Sequence, residues 1–227
     1  MAEKVKEHDF VKVNYTGKLA DGTVFDTTEE KIAKENKLFS PKMNYSPATV
    51  CVGEKQVLPG LDEQFNGKEI GKEYAITLPP EKAFGKRDIK KMKIVPMGTF
   101  REHKINPQPG LQVDIDGEMG LITRVSGGRV IVNFNHPLAG KEVIYTFKIL
   151  STVTDTGEKV RSFLSTMLRM PEENIEVIVS GETATVTLPV EFPVQISSIL
   201  AQKLMQVTGL KDVLLQKRGS EAKSLAK

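Results

Sequence analysis

Histidine and cysteine, two residue types that commonly carry acid–base or metal chemistry, are few and scattered in this sequence. The three histidines, His8, His103 and His136, lie far apart and lack the short spacings of metal ligands. The single cysteine, Cys51, sits in an apolar run and is interpreted as a small buried side chain in a reducing compartment. The sequence therefore predicts no metal site and no cofactor.

A more informative stretch is the run GEKQVLPGL, which begins at Gly53. Gly53 can end a strand, and Val57 and Leu58 are apolar residues with free backbone N–H groups. Pro59 is tolerated in the first turn of a helix, and Gly67 ends that helix after about two turns. Most strand–turn–helix stretches of this kind serve packing, so the function of this one depends on its neighbours.

The segments around this turn predict an antiparallel sheet. Residues 10–19 alternate apolar and polar side chains, Asp21-Gly22 marks a hairpin turn, and residues 24–28 form the returning strand. Further strands are predicted at 49–52, 73–78 and 142–150, and a charged helical segment at 29–37. The strand at 142–150 is expected to close the sheet begun at Phe10.

Between residues 86 and 134 the composition changes. This segment holds nine basic and five acidic residues, a net charge of +4, and its short strand patterns lie at 112–115, 119–125 and 129–134. Pro-Gly, Asp-Gly and Gly-Gly turns separate them. We predict a small β domain inserted into the first sheet.

The last third of the chain has its own pattern. Residues 151–157 are interpreted as a linker or a strand end. After them the sequence predicts a helix at 158–170, two strands at 174–179 and 183–190, a helix at 194–207 and a strand at 212–216. This αββαβ order is typical of a small α+β domain.

Length and charge limit the class of protein. The 227 residues suffice for two or three domains. The balance of 32 basic and 29 acidic residues gives only +3, which argues against a dedicated nucleic-acid binder. The charged N-terminus does not resemble a signal peptide and the apolar runs are too short to span a membrane, so a cytoplasmic protein without membrane contact is expected.

Taken together, residues 5–151 resemble the FK506-binding-protein family of peptidyl-prolyl isomerases, and in particular its SlyD-type members with an insert-in-flap chaperone domain. Five stretches carry the resemblance in family order: 13–17 (VNYTG), 21–26 (DGTVFD), 53–61 (GEKQVLPGL), 83–85 (AFG) and 135–140 (NHPLAG). The layout is similar to a long archaeal form with a separate tail domain.

The resemblance implies an α+β multidomain fold: an antiparallel half-barrel sheet with a short helix, an inserted small β domain and a C-terminal α+β domain. The expected boundaries are 1–85 plus 135–152 for the isomerase domain, 86–134 for the insert and 153–227 for the C-terminal domain.

The resemblance also implies a site for isomerising Xaa-Pro bonds in unfolded or partly folded polypeptides. The residues expected around the proline ring are Tyr15, Phe25, Asp26, Val57, Leu58, Leu61, Phe84 and Tyr145, with Ala48 and Leu138 also contacting substrate. The backbone N–H of Leu58 is expected to bind a substrate carbonyl, and Tyr15 to orient Asp26 by a hydrogen bond. Leu61 in place of the frequent tryptophan implies a wider pocket, and Phe84 in place of tyrosine implies one hydrogen bond fewer.

In the insert, apolar residues cluster within a lysine-rich stretch. We interpret Ile94, Val95, Met97, Phe100 and Ile105 as part of an exposed surface that holds unfolded chains. The alternative is that these side chains pack the core of the insert itself.

The sequence is compatible with three functions. The first is an isomerase with chaperone activity. The second is a pure holdase with a vestigial pocket, and the third is an RNA-associated factor that binds through the basic insert. The apolar stripe at 196–207 suits the core of a small domain, and such domains often rely on oligomerisation, so a homodimer through residues 153–227 is expected.

Overall fold

A computed structural model describes residues 3–219, which form two compact units. The first unit comprises the chain up to Leu78 together with the chain from Val143 onward, and the second runs from Pro79 to Glu142. Within residues 3–219, no helix has both the length and the apolar character needed to cross a membrane.

Twelve strands and five α-helices are described in residues 3–219. The strands are β1 (Phe10–Leu19), β2 (Val24–Thr27), β3 (Ala48–Cys51), β4 (Glu73–Leu78), β5 (Met92–Pro96), β6 (Gln112–Ile115), β7 (Glu118–Ser126), β8 (Arg129–Asn133), β9 (Val143–Thr152), β10 (Glu176–Ser180), β11 (Thr183–Leu188) and β12 (Asp212–Lys217). The helices are α1 (Glu30–Glu35), α2 (Pro59–Phe65), α3 (Met97–Glu102), α4 (Thr156–Leu168) and α5 (Val194–Thr208).

The first unit is built on a five-stranded antiparallel sheet. Its order is β2-β1-β9-β4, and β3 pairs with the first half of β1. As predicted, β9 closes the sheet by pairing along the whole of β1, with Gly17 opposite Tyr145. Because side chains alternate across a strand, the inward residues of β9 (Val143, Tyr145, Phe147 and Ile149) are all buried.

The short helix α2 begins as the sequence predicts, with Pro59 in its first turn. Its Leu61 and Phe65 are buried, and the Phe65 ring meets Phe147 edge to face with centroids 5.1 Å apart. These contacts fix α2 against the sheet and thereby fix the turn that precedes it.

The second unit has a four-stranded antiparallel sheet in the order β5-β8-β7-β6. The sequence predicted only three of these strands; β5 and α3 occupy the stretch that had been interpreted as an exposed apolar cluster. The local sequence pattern did not predict β5. The lysine-rich sequence of β5 becomes a strand by pairing with β8, where Ile94 lies opposite Ile131. One face of the sheet packs a small core of Phe100, Val113, Ile122, Val130, Val132 and Phe134.

The C-terminal part of the first unit follows the predicted αββαβ order. Its sheet has the order β10-β11-β12, with β10 and β11 antiparallel and β11 and β12 parallel. The stretch at 151–157, interpreted as a linker or a strand end, contains the end of β9 at Thr152, and a connection of only three residues leads to α4 at Thr156. Asp155 caps α4 by accepting the backbone N–H of Glu158, and Val153 is buried.

One hydrophobic cluster joins this C-terminal part to the sheet of β1 and β3. It contains Phe10 and Cys51 together with residues of α4, α5, β11 and β12. The Phe10 and Phe163 rings lie 6.3 Å apart in this cluster. Cys51 is a free, fully buried thiol, as its apolar context predicts.

Candidate active site

A pocket of about 290 Å³ lies at the N-terminus of α2. It brings together six of the residues predicted around a proline ring, and adds Gln56 and Pro59. The lining residues are Tyr15, Asp26, Gln56, Val57, Leu58, Pro59, Leu61 and Tyr145. The lining combines four aliphatic residues and two tyrosines with Gln56 and Asp26, and Asp26 is its one carboxylate.

The aromatic wall of the pocket is centred on Tyr145. The Phe25 ring meets Tyr145 edge to face at 5.8 Å, and the Tyr15 ring lies 5.9 Å from it at a tilt of 57°. This crowding requires a glycine beneath the rings. A Cβ on Gly17 would lie 2.8 Å from ring atoms of both Phe25 and Tyr145.

The turn from Gly53 to Leu58 forms the other wall, and buried polar side chains hold it. Gly53 and Lys55 both adopt positive φ, at 91° and 54°. The carboxylate of Asp62 accepts the backbone N–H of Gly53 at 3.0 Å and that of Lys55 at 2.9 Å. Gln56 Oε1 accepts the Cys51 N–H at 2.6 Å, which ties the turn to the end of β3.

Leu58 precedes the first residue of α2 with an extended backbone, at φ −53° and ψ 132°. Its carbonyl accepts the N–H groups of Leu61 and Asp62. Among the described residues, its own N–H donates no hydrogen bond. This geometry leaves a backbone donor at the pocket wall for a carbonyl group.

Burial dominates the electrostatics of the site. It raises the pKa of Asp26, with the backbone N–H of Thr27 acting in the opposite direction. Burial, followed by the charge of Asp26, raises the pKa of Tyr15 to about 12. The same two causes, followed by Tyr15, raise the pKa of Tyr145 above its ordinary value. Both phenols are therefore neutral at physiological pH.

The expected hydrogen bond between Tyr15 and Asp26 is not among the hydrogen bonds of residues 3–219. Packing of the Tyr15 ring against Tyr145 sets the position of Tyr15 instead. The two groups are coupled through charge, because the carboxylate disfavours ionisation of the phenol.

Three predicted site residues lie elsewhere. Ala48 starts β3 opposite Val13, outside the lining of the pocket. Phe84 and Leu138 belong to the second unit. There the Phe84 ring stacks on His136 at 4.6 Å, and His136 Nδ1 accepts the Leu138 N–H. Their roles toward substrate remain predictions.

The residues predicted to bind unfolded chains divide between two faces of the insert. Phe100 is only 3% exposed and lies in the core, with Val95, Met97 and Ile105 packed against it. Ile94 is 63% exposed on the opposite face of the sheet. Four of these five residues therefore pack the core of the insert, which is the alternative that the sequence left open.

Sequence reasoning missed three residues that shape the pocket. Gly17 lay within a matching motif, and a glycine inside a strand pattern is itself a sign of close approach. Gln56 and Asp62 carried no signal, because a polar side chain folding back onto a turn has no characteristic spacing. For metals, no group of three or more histidine, cysteine or acidic side chains in the described part of the chain could hold an ion.

Comparison with known proteins shows the family of the chain. Residues 1–101 match the family model of FKBP-type peptidyl-prolyl cis-trans isomerases, and residues 93–138 match the model described as FKBP26, IF domain. A short-type peptidyl-prolyl cis-trans isomerase of Methanocaldococcus jannaschii is 38% identical over 149 residues, which cover 66% of this chain and 94% of that protein. The chain belongs to the FKBP-type peptidyl-prolyl cis-trans isomerase family.

Two further relatives are more distant. The FKBP-type isomerase SlyD of Haemophilus influenzae is 25% identical over 160 residues, covering 69% of this chain and 77% of that protein. The crystal structure of the three FKBP domains of wheat FKBP73 matches with a TM-score of 0.36 and 22% identity, covering 68% of this chain and 43% of that chain.

Proposed function

We propose that the pocket at the N-terminus of α2 isomerises Xaa-Pro bonds in unfolded or partly folded polypeptides and so accelerates proline-limited folding. The observation that carries the proposal is a pocket lined by aliphatic and tyrosine side chains beside the open N–H of Leu58. A proline ring suits the apolar wall, and a neighbouring substrate carbonyl suits the N–H.

The chemistry requires no nucleophile. Rotation about the peptide bond crosses a barrier of about 18–20 kcal/mol, because amide resonance must be lost. An apolar pocket disfavours the dipolar planar amide relative to the twisted state, in which charge separation is partly lost. The Leu58 N–H would hold the substrate carbonyl that flanks the rotating bond in place. The phenols of Tyr15 and Tyr145 are neutral and would add no charge to that of Asp26.

Isomerisation of a short Xaa-Pro peptide by the full chain tests this proposal. Phe25→Ala removes the ring packed against Tyr145 and is expected to lower kcat/KM at least about tenfold, which corresponds to about 1.4 kcal/mol of transition-state stabilisation. Phe39→Ala is the matched control, because the partly exposed Phe39 ring stacks on Tyr45 outside the pocket. An intact chain that does not turn over the peptide would overturn the proposal and favour a holdase.

We also propose that the insert binds unfolded clients through one face of its sheet, here named the open face. Alternation places Met92, Ile94, Met119, Leu121 and Ile131 on the side opposite the core. Ile94 and Met119 are 63% and 60% exposed, and Arg124 lies beside Ile131 on the same face. Flexible methionine and aliphatic side chains suit varied apolar segments.

Suppression of aggregation of an unfolded protein tests client binding. Ile94→Ser with Met119→Ser is expected to weaken suppression and to slow catalysed refolding, while the peptide rate stays at the wild-type value. Ile178→Ser is the control, because Ile178 is equally exposed but lies on β10. Unchanged suppression in the double variant would exclude the open face as the client surface.

The third proposal concerns assembly: residues 153–227 form a homodimer. Strand β12 lies at the edge of its sheet, and a groove of about 480 Å³ runs between it and α5. Val194 and Leu214 line the groove and are exposed, and Ile196 and Ile199 are exposed elsewhere on α5. An unpaired strand edge with exposed apolar neighbours favours association with a second copy.

Sedimentation of the full chain at micromolar concentration tests this assembly. Wild type is expected to sediment as a dimer, and Ile199→Glu with Leu214→Glu as a monomer with normal peptide activity. A wild-type monomer, or a dimer insensitive to both substitutions, would contradict an interface at this groove.

A further inference from the structure

A partly buried ion pair links α5 to the turn that forms the pocket wall. Lys203 Nζ lies 2.7 Å from Glu54 Oε2 and donates to Oε1 at 2.9 Å. The Glu54 side chain is only 10% exposed and Lys203 is 29% exposed. His8 Nδ1 approaches the same carboxylate at 3.5 Å. The pair joins residues 149 positions apart in sequence.

Glu54 stands at the most constrained part of the turn. Its two neighbours, Gly53 and Lys55, both have positive φ, and both donate their backbone N–H groups to Asp62. Asp62, a residue of α2, therefore holds the backbone of the turn through these two hydrogen bonds. Lys203 holds the Glu54 side chain, at the centre of the turn, through the ion pair. Leu58, with its open N–H, follows four residues later.

The position of Lys203 is itself fixed by packing. Leu200, Leu204 and Val207 of the same helix are buried in the cluster that contains Cys51, the last residue of β3. Because residues three and four apart lie on one face of a helix, the buried Leu200 and Val207 flank Lys203. The cluster therefore fixes the backbone of α5 from which the Lys203 ammonium group reaches Glu54.

We propose that Lys203 is a positioning residue for the isomerase site: through Glu54 it holds the turn from Gly53 to Leu58 in the conformation that presents the Leu58 N–H. The C-terminal part of the chain thus supports catalysis in the first sheet, besides any part it takes in assembly. This inference rests on the isomerase function proposed above.

The kinetics of full-length variants test the proposal. Lys203→Met keeps the aliphatic stem but removes the charge, and is expected to lower kcat/KM for an Xaa-Pro peptide about three- to tenfold, since small displacements of positioning groups are costly. Lys203→Arg is expected to restore most of the rate. Lys203→Met with Glu54→Gln should cost little more than either substitution alone, because both break the same contact.

Two comparisons separate positioning from general stabilisation. Lys211→Met breaks the exposed pair between Lys211 and Glu182 and is expected to leave kcat/KM unchanged. Leu204→Ala destabilises the cluster without touching the ion pair, so at a temperature well below its unfolding transition it should keep more activity than Lys203→Met.

The outcomes are distinct. An active wild type with equal kcat/KM in Lys203→Met would overturn the positioning role while leaving the isomerase function in place. Loss of rate in Lys203→Met that merely follows its thermal destabilisation, without rescue by arginine, would also overturn it. A wild-type chain that turns over no peptide would instead refute the proposed function.

Discussion

The pocket and the open face of the insert are both apolar surfaces, but they are held in different ways. The pocket wall is fixed by hydrogen bonds from backbone N–H groups to Asp62 and Gln56 and by the ion pair of Glu54 with Lys203. On the open face, Ile94 and Met119 project from paired strands and no core packs over them.

This difference matches two kinds of recognition. A site that stabilises one twisted bond benefits from groups locked in place before the substrate arrives. A surface for varied unfolded segments benefits from side chains that can repack. We therefore expect substitutions beneath the pocket to change catalytic rate sharply, and substitutions on the open face to change client binding gradually.

The largest effect is expected from Phe100→Ala. Phe100 was predicted to bind clients, yet it lies in the core of the insert, so its loss should destabilise that unit by about 3–5 kcal/mol. Urea unfolding followed by a spectroscopic probe in the insert would measure this. Ile94→Ala is the contrast: it should cost little stability, because Ile94 is mostly exposed.

If Phe100→Ala left the stability of the insert unchanged while abolishing client binding, the division into a core and an open face would be wrong. The rate of peptide isomerisation by Phe100→Ala offers a further check. It should stay near the wild-type value, because the pocket residues lie in the first unit.

The second effect concerns the pocket turn. The two carboxylate oxygens of Asp62 each accept one backbone N–H, and Asp62→Asn leaves only one oxygen to do so. Hydrogen bonds to charged groups contribute about 1.5–3 kcal/mol each. We expect a lower unfolding midpoint together with a lower kcat/KM. Asp114→Asn is the control, because Asp114 accepts the Gly117 N–H in an exposed turn of the insert. Equal effects of both substitutions would show that the pocket turn is not specially constrained.

The third effect is expected from Gly17→Ala. The new methyl group would overlap the rings of Phe25 and Tyr145, and overpacking of this kind costs about 1–3 kcal/mol. Displacement of the rings should lower kcat/KM by about tenfold, while client binding by the insert stays unchanged. Gly98→Ala provides the matched control, because a Cβ at Gly98 has no neighbour within 4 Å. A fully active Gly17→Ala enzyme would show that the aromatic wall is not critical.

Much of this architecture could be predicted from the sequence, because it rests on local signals. Alternation predicted β1 and β9, Pro59 predicted the start of α2, and Asp21-Gly22 predicted the first hairpin. Six residues of the pocket followed from motif order.

What the sequence did not predict depends on distant parts of the chain. Strand β5 forms only against β8, and Phe100 is buried only because the insert folds over it. The contact of Lys203 with Glu54 spans 149 positions and has no local pattern. The sequence left 151–157 open between a linker and a strand end for a related reason, since its polar residues both end β9 and cap α4.

The smallest expected effect tests the charge of the pocket. Burial raises the pKa of Asp26, so the folded state binds a proton more readily than the unfolded state. Wild-type stability therefore falls as the pH rises from the ordinary aspartate value through the raised value. Asp26→Asn removes this cost: it should raise the unfolding midpoint at pH 7, and the gain should vanish at a pH below the ordinary aspartate range.

The same substitution separates stability from function. It is expected to lower kcat/KM for the peptide, since Asp26 is the one carboxylate of the pocket, and to leave client binding by the open face unaltered. It should also lower the pKa of Tyr15 from about 12, although not to its ordinary value, because burial is the larger cause of that shift. Ultraviolet titration of the phenols would follow this change. A variant with wild-type activity and an unchanged phenol titration would show that Asp26 acts on neither substrate nor Tyr15. The pocket would then bind substrate, as the open face does, through apolar contacts, with the backbone as its only polar contribution.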